Sequence, residues 1–533
     1  MMPDATLPQH PFPEPCRHHV RLGLAAVAMV ILAAIAWRAP LLVRESLWYD
    51  ELLTVDVVVA DDVAAMLRNV VTIESSPPLF FAAAHAVVRV GVFGDASEEG
   101  ATARKLAIRW VSLCSAAAAA MIAAGLVMRF APTPAAIVPL ALLAAIATLL
   151  QPFLFWYSVE GRPYALLTAW LMAYAATVAM MTLPERRDAR MTLAMPVFAA
   201  GAIATHYFAV LPVVVGSLLL LTLHLTADRA TRPPLGRVWW LGHAALGCYT
   251  ACWGLLMIEQ SRQGHTSYIP PTQIADLART FLIVFPLGLD AALPAPMRVM
   301  AAAGVVMAGL ADVTILWHDL HYRRLSPTGS LALTGLVLWI MPVVCLFALS
   351  FLRPIFIYDR YPIIGLPGML LVVLSLGVRT LDVAAPRPNR AMAATALALM
   401  LFLGGWQCAR YTWWPSEGGL RERFDLLLPT IIEAAADAPE DALWVIPDPV
   451  LARPLAEISP MIRQRLTARE SALTGVPVIV LGEAVMVEEI LEASTGMDAS
   501  EREFVITPID PGRAIGYIRA PIDSAIVGQR DGP

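Results

Sequence analysis

Five short polar clusters interrupt an otherwise apolar chain, and their residue types are those of proton transfer and anion binding. The first, Ser46-Leu47-Trp48-Tyr49-Asp50-Glu51, sets two carboxylates beside two aromatic residues just past an apolar run. Trp and Tyr favour the membrane–water boundary, and a carboxylate placed there can take a proton from a hydroxyl. Successive helical residues point about 100° apart, so only one of Asp50 and Glu51 faces a given reacting atom. The other meets sugar hydroxyls, a cation or the local backbone. The plainer alternative is a solvated acidic pair that opens the amphipathic stretch Leu52–Val71.

The second cluster, Glu74-Ser75-Ser76-Pro77-Pro78-Leu79-Phe80-Phe81, reads as a helix start, because the first helical position needs no N–H donor. The third runs Phe155-Trp156-Tyr157-Ser158-Val159-Glu160-Gly161-Arg162-Pro163-Tyr164. It offers Glu160 as a hydrogen-bond acceptor and Arg162 as a phosphate clamp, or the two simply pair at the bilayer boundary. The fourth, Thr205-His206-Tyr207, lies inside an apolar run. Polar groups there are costly unless they face a cavity or bond another helix. The fifth joins Arg353-Pro354 to Tyr358-Asp359-Arg360-Tyr361-Pro362, where Arg360 is a second candidate cation unless Asp359 merely neutralises it. In the stretch 259–296, Arg262, His265 and Tyr268 are candidates for acceptor contacts. Lys105 is the only lysine, so any anion clamp must be built from arginine, which holds phosphate bidentately. The six cysteines lie in or beside apolar runs, and no His or Asp joins Cys248 and Cys252 to complete a metal site. They read as apolar filling.

The elements that position these clusters follow from composition. The chain has 533 residues, 58% hydrophobic and 15% charged, against roughly 45–50% and about 25% in soluble domains. The apolar residues fall in blocks of roughly 17–25, enough to cross a bilayer core about 30 Å thick. This excludes a disordered protein, a secreted disulfide scaffold and a nucleic-acid binder driven by net charge. Residues 1–19 are Pro-rich and predicted to be disordered on the cytoplasmic side. The run Leu22–Trp37 lacks an A-x-A-like cleavage site and merges into Leu41–Val43, which predicts a retained helix. Further spans are expected at 77–93, 107–128, 134–155, 163–183, 191–226, 238–258, 297–317, 330–352, 361–378 and 391–409. The 191–226 run is too long for one crossing and is predicted to be two short helices meeting near Thr205-His206-Tyr207. The expected fold class is therefore all-α and polytopic, with about 11–13 transmembrane helices.

Arginine placement sets the orientation. Arg17 and Arg21 put the N-terminus inside. Arg129, Arg186/Arg187/Arg190, Arg229/Arg232/Arg237, Arg323/Arg324 and Arg379/Arg387/Arg390 mark inner loops. The segments 44–76, 156–162, 259–296, 353–360 and 411–533 then face outside. Counts from the two ends disagree by one crossing between residues 50 and 130. Either a segment such as 77–93 is not a simple span or the 191–226 run is miscounted. The tail differs in kind: residues 411–533 hold 20 acids and 10 bases, whereas residues 1–410 hold 23 and 28. Its β-like runs Ala442–Pro447, Val476–Leu481, Phe504–Thr507 and Ala514–Ile518 alternate with helical patterns at 420–437 and 484–495. That predicts a small extracytoplasmic α/β domain over 411–533, following a membrane domain over 20–410. The tail carries no G-x-G-x-x-G, P-loop or H-E-x-x-H, and the chain shows no internal repeat.

Taken in order, W-Y-D-E, P-P-L-F-F, S-x-E-x-R-P-Y, T-H-Y and D-R-Y-P-x-x-x-L-P resemble the multi-spanning GT-C glycosyltransferases. The likeness lies near the bacterial members of glycosyltransferase family 39 and covers roughly residues 20–410. That family includes polyprenyl-phosphate-mannose–protein mannosyltransferases and is similar to the aminoarabinose transferases acting on lipid A. The resemblance implies that Asp50 is the essential first-loop carboxylate, with Glu51 beside it. It implies that Ser158, Glu160, Arg162 and Tyr164 form one substrate-binding motif, Thr205, His206 and Tyr207 a second, and Arg360 with Tyr361 a third. Many relatives carry His or Lys directly before the Pro pair, where this chain has Ser76.

The implied partners are a polyprenyl-phosphate-linked sugar donor, an envelope glycan, lipid or protein acceptor, and membrane lipid, with no nucleic acid. The resemblance implies no certain cofactor, although a divalent cation at Asp50 is compatible with it. The implied reaction is inverting transfer to an acceptor hydroxyl on the outer face of a bacterial cytoplasmic membrane, with Asp50 as base. The rival is a polyprenyl-linked sugar transporter or flippase without catalysis. Such proteins often show matched repeats with broken helices, which this sequence lacks.

Overall fold

In a membrane every backbone polar group must be satisfied within its own segment, and so the long apolar runs fold as helices. The computed structural model describes residues 17–45, 47–74, 76–92, 100–183, 189–226, 232–233, 235–262, 269, 271–288, 293–322, 325–358 and 360–413, together with five strands beyond them. The chain divides into two compact units, Met1–Val43 with Thr54–Leu420, and Arg44–Leu53 with Arg421–Pro533.

The first unit is helical and polytopic. Nine described helices are long and apolar enough to cross a membrane: Arg17–Arg44, Thr102–Phe130, Tyr164–Met181, Tyr207–Thr226, Arg237–Ile258, Ala295–His321, Pro327–Leu349, Tyr361–Leu381 and Arg387–Trp413. A tenth span arises if Pro134–Leu149 and Pro152–Ser158, bent by 66° at their junction, count as one. This is fewer than the 11–13 expected, and two segments make the difference. The expected span 77–93 folds as Leu79–Val90, 12 residues, which rises only about 18 Å. Gly91, left-handed at φ 66°, ends it. The 191–226 run does divide in two, as Ala189–Thr205 and Val210–Thr226, and the first of these has only 17 residues. The break falls at His206, whose extended backbone (φ −157°, ψ 134°) leaves the helix while its ring nitrogen accepts from Phe208 N at 3.2 Å.

The innermost helix is the one that carries Tyr361 at its head. Ninety-four per cent of the apolar window in Tyr361–Leu381 is buried, as expected of a helix apolar on every side. It packs backbone to backbone on Pro327–Leu349. A Cβ at Gly368 would stand 2.5 Å from Leu338 C, and one at Gly335 would stand 2.8 Å from Val372 N. Glycine permits such an approach, and dispersion across the close surfaces holds the helices together. The bend between Pro134–Leu149 and Pro152–Ser158 is built by Gln151. Its side chain accepts from Leu154 N at 2.6 Å and donates to Phe285 O at 2.7 Å. Buried Arg38 closes the other side, donating to Ser158 Oγ at 3.0 Å and to the Leu149 carbonyl.

In the second unit, five strands make one mixed sheet in the order β2-β1-β3-β5-β4: β1 Leu443–Val445, β2 Leu466–Thr467, β3 Val478–Glu483, β4 Glu503–Asp510 and β5 Arg513–Arg519. β1 runs parallel to β2 and β3, and β5 runs antiparallel to β3 and β4. Ile479 faces Tyr517 and Glu503 faces Arg519, with a register shift between Pro508 and Asp510. Each of the four expected β-like runs overlaps a strand. β2 has two residues, too few to show a period. The helices expected at 420–437 and 484–495 lie outside the described residues.

Candidate active site

The loop from Val159 to Pro163 carries Glu160 and Arg162 between the bend and the Tyr164–Met181 helix, and packing on both flanks fixes it. Ser158 Oγ donates to Phe155 O at 2.6 Å, and Ser112 Oγ donates to Arg162 O at 3.1 Å. Glu160 is 1% exposed and Arg162 6%. The Arg162 fork meets Glu74, an acid from a different segment. Nη1 donates to Glu74 Oε1 at 2.6 Å and to Thr54 Oγ1 at 2.9 Å, and Nη2 donates to Glu74 Oε2 at 3.3 Å. Charge-assisted pairing of this kind is the strong form of the hydrogen bond.

His206 gathers the motifs. Its ring centroid lies 5.8 Å from that of Tyr164 and 5.7 Å from that of Tyr361, with Phe208 at 5.3 Å. Tyr164 in turn packs against Tyr157, with ring centroids 4.4 Å apart and planes inclined by 51°. Burial, and then the nearby Arg162 guanidinium, push the His206 imidazole down to about 3, so it is neutral at physiological pH. A neutral imidazole offers one donor and one acceptor rather than a second cation. Tyr207 points elsewhere, donating to Gln260 Oε1 at 2.8 Å, and Gln260 Nε2 donates to the carbonyls of Val70 and Glu74 at 3.1 and 2.9 Å. Arg360 sits at the N-terminal end of the 3₁₀ turn Tyr361–Gly365. Asp359, its expected neutraliser, lies outside the described residues.

Three of the predicted clusters therefore meet in one buried corner of the first unit: Arg162 with Tyr164, His206, and Tyr361. Asp50 and Glu51 belong to the second unit, in the first turn of the helix Tyr49–Val58. Asp50 is partly buried and Glu51 fully so. The side chains of Arg262, His265 and Tyr268 lie outside the described residues. Ser76 is buried. Among the described residues no three His, Cys, Asp or Glu side chains gather to hold a metal ion.

Sequence reasoning took Glu74 only as part of a helix start and passed over Thr54, Gln260 and Arg279. The one available signal for Glu74 is that it is the only acid between Asp62 and Asp95, set against a Pro pair. Arg279 lies just before a π-helical turn, Thr280–Val284, and its guanidinium rests 4.3 Å from the Tyr358 ring centroid. Such turns are frequent at functional sites.

No protein-family model and no curated protein sequence matches the chain. Solved structures do. ArnT from Cupriavidus metallidurans in the apo state superposes with a TM-score of 0.51 at 13% identity, covering 94% of this chain and 98% of that one. The same protein bound to undecaprenyl phosphate gives 0.49 at 14% identity with the same coverage. The chain shares with ArnT, over 94% of its length, the multi-span helical membrane fold that the order of its motifs implies.

Proposed function

We propose that this chain is a membrane glycosyltransferase that moves a sugar from a polyprenyl-phosphate donor to an acceptor hydroxyl at the outer face of a bacterial cytoplasmic membrane. The observation that carries the reading is the corner in which Arg162, Tyr164, His206 and Tyr361, from segments up to 199 positions apart, converge beside a neutral imidazole. A corner that is dry, aromatic and cationic suits a phosphate leaving group, because charge developing in a low-dielectric site gains most from preorganised donors.

In this mechanism Asp50 takes the proton of the acceptor hydroxyl as its oxygen bonds to the anomeric carbon. The bond from that carbon to the phosphate oxygen breaks in the same displacement, the phosphate monoester leaves with the electron pair, and the anomeric centre inverts. Arg162 and Arg360 stabilise the leaving phosphate. Glu51, Glu160, Tyr164, His206 and Tyr361 bind and orient sugar or acceptor. A divalent cation at Asp50 is compatible with this scheme and not required by it.

The arginine pattern supports the orientation once Leu79–Val90 is left uncrossed. Inner loops at Arg129, Arg190, Arg232, Arg379 and Arg387 then alternate with outer ones, provided Ala189–Thr205, at about the shortest length for a span, crosses together with its successor. With that short helix added to the ten long enough by themselves there are eleven crossings, and residues 1–19 lie inside and the tail 411–533 outside. The test is sugar transfer by membranes carrying Asp50→Asn. Transfer should fall by about 10²–10⁴-fold, and undiminished transfer refutes Asp50 as the base. Counterflow of labelled sugar-lipid in vesicles, with no glycosidic product, would instead establish the transporter.

A further inference from the structure

The forked edge of a guanidinium takes a phosphate or a carboxylate through two parallel N–H···O bonds. On Arg162 that edge holds Glu74, at 2.6 and 3.3 Å, and the two side chains are 8% and 2% exposed. The Glu74 backbone is anchored independently of this pair. Gln260 Nε2 donates to the Glu74 carbonyl at 2.9 Å, and Glu74 N donates to Val70 O at 3.3 Å. Glu74 also follows the last turn of the helix Val63–Ile73 with extended backbone, φ −102° and ψ 161°, where side-chain rotamers are less restricted than inside a helix. The anchor is on the main chain and the ion pair on the side chain. Rotation about the Glu74 side-chain bonds therefore leaves its main-chain anchor in place.

We propose that Glu74 is an electrostatic latch, filling the Arg162 fork in the resting protein and displaced from it by the phosphate monoester head group of the lipid-linked donor. This rests on the assignment of Arg162 as phosphate clamp. Carboxylate and phosphate use the same two N–H groups and repel each other, so they occupy the fork in turn. The latch does two things. It sets an opposite charge against the buried Arg162 cation when no donor is bound, and removing one partner of a buried pair is costly. It also discriminates by charge, because a neutral polyprenol brings nothing to exchange for the carboxylate. A Glu74 that merely held Arg162 in position, staying in place while phosphate bound elsewhere, predicts the opposite sign in the test below.

The test is equilibrium binding of undecaprenyl phosphate and of undecaprenol to the purified full-length chain, comparing wild type, Glu74→Gln and Arg162→Gln. The latch predicts that Glu74→Gln binds undecaprenyl phosphate about tenfold tighter, since a charge-assisted bond no longer has to be broken, with undecaprenol unchanged. Unchanged or weaker phosphate-lipid binding overturns the latch, and so does a gain shared equally by undecaprenol. Arg162→Gln separates the two ideas. Weakened phosphate-lipid binding there without a gain in Glu74→Gln keeps the clamp and removes the latch, whereas undiminished binding removes both. Should Glu74→Gln fail to fold, Glu74→Asp keeps the charge but shortens the reach. It should then bind undecaprenyl phosphate severalfold tighter than wild type, and failure to do so overturns the latch.

Discussion

Replacing Gly161 with alanine asks whether the Glu160–Arg162 loop must lie flush on the Ala101–Phe130 helix. The φ of Gly161 is outside the left-handed region, so alanine meets no backbone penalty there. A Cβ would instead stand 2.5 Å from Ile108 Cγ1 and 3.0 Å from Ile108 Cβ, with Cδ1 closer still. Favourable carbon contacts lie at about 3.5–4.0 Å, so either the loop or Ile108 must retreat by roughly 1 Å. Ile108 is 0% exposed, and a close-packed interior leaves it little room. The loop therefore moves, carrying Arg162 away from Glu74 and Thr54. Misplacement by about 1 Å costs on the order of 100-fold in rate, and overpacking costs about 1–3 kcal/mol in stability. Gly161→Ala membranes should transfer sugar from the polyprenyl-phosphate donor about 10–100-fold more slowly than wild type at matched protein level. A second substitution identifies the cause. Ile108→Ala removes Cγ1 and Cδ1, so the double variant should recover most of the lost transfer. Wild-type transfer by Gly161→Ala, or a double variant no faster than the single one, refutes the reasoning.

Two further outcomes follow from buried polar groups. His206 is held at about 3 in the fold, mainly by burial and then by Arg162, against about 6.5 in an unfolded chain. Between these values only the unfolded chain binds the proton, so stability is highest above pH ~6.5 and falls as pH drops through that window. Melting followed between pH 7 and 5 should show a shallower loss for His206→Asn than for wild type, and parallel losses would exclude His206 as the source. Arg38 spans Ser158 Oγ at 3.0 Å, Ala34 O at 3.2 Å and the Leu149 carbonyl, with its guanidinium 4.3 Å from the Phe155 ring centroid. A lysine ammonium is a point charge that cannot bridge these groups at once. Arg38→Lys should therefore cost about 1–3 kcal/mol, seen as a lower melting temperature in detergent, and an unchanged melting temperature would mean the fork is not needed.

Much of the scaffold is legible in local pattern. Apolar runs located the spans because a membrane helix must be apolar along its own length, whatever it packs against. The polar trio Thr205-His206-Tyr207 located a helix break, since a costly polar interruption in an apolar run needs a structural reason. Short β-like runs located β1, β3, β4 and β5, because strand preference is carried by a few consecutive residues. Length misled at 77–93, where apolarity continued past the glycine that ends the helix at Val90.

The apolar runs determined a multi-span helical fold, the order of the motifs pointed to its kind, and their residue types set the chemistry they could serve: a carboxylate, two arginines, an imidazole and aromatic rings along one chain. Only the tertiary structure decided who partners whom. Arg162 reaches Glu74 across 88 positions, Gln260 reaches the Glu74 carbonyl across 186, and Arg38 reaches Ser158 across 120. Periodicity reports what one element must bury, and it is local. A buried charge is satisfied by whichever opposite group shares its dry pocket, and that depends on how distant helices pack. The sequence left open whether Arg162 pairs with Glu160 or clamps a phosphate, and the fold brings it Glu74 from 88 positions away.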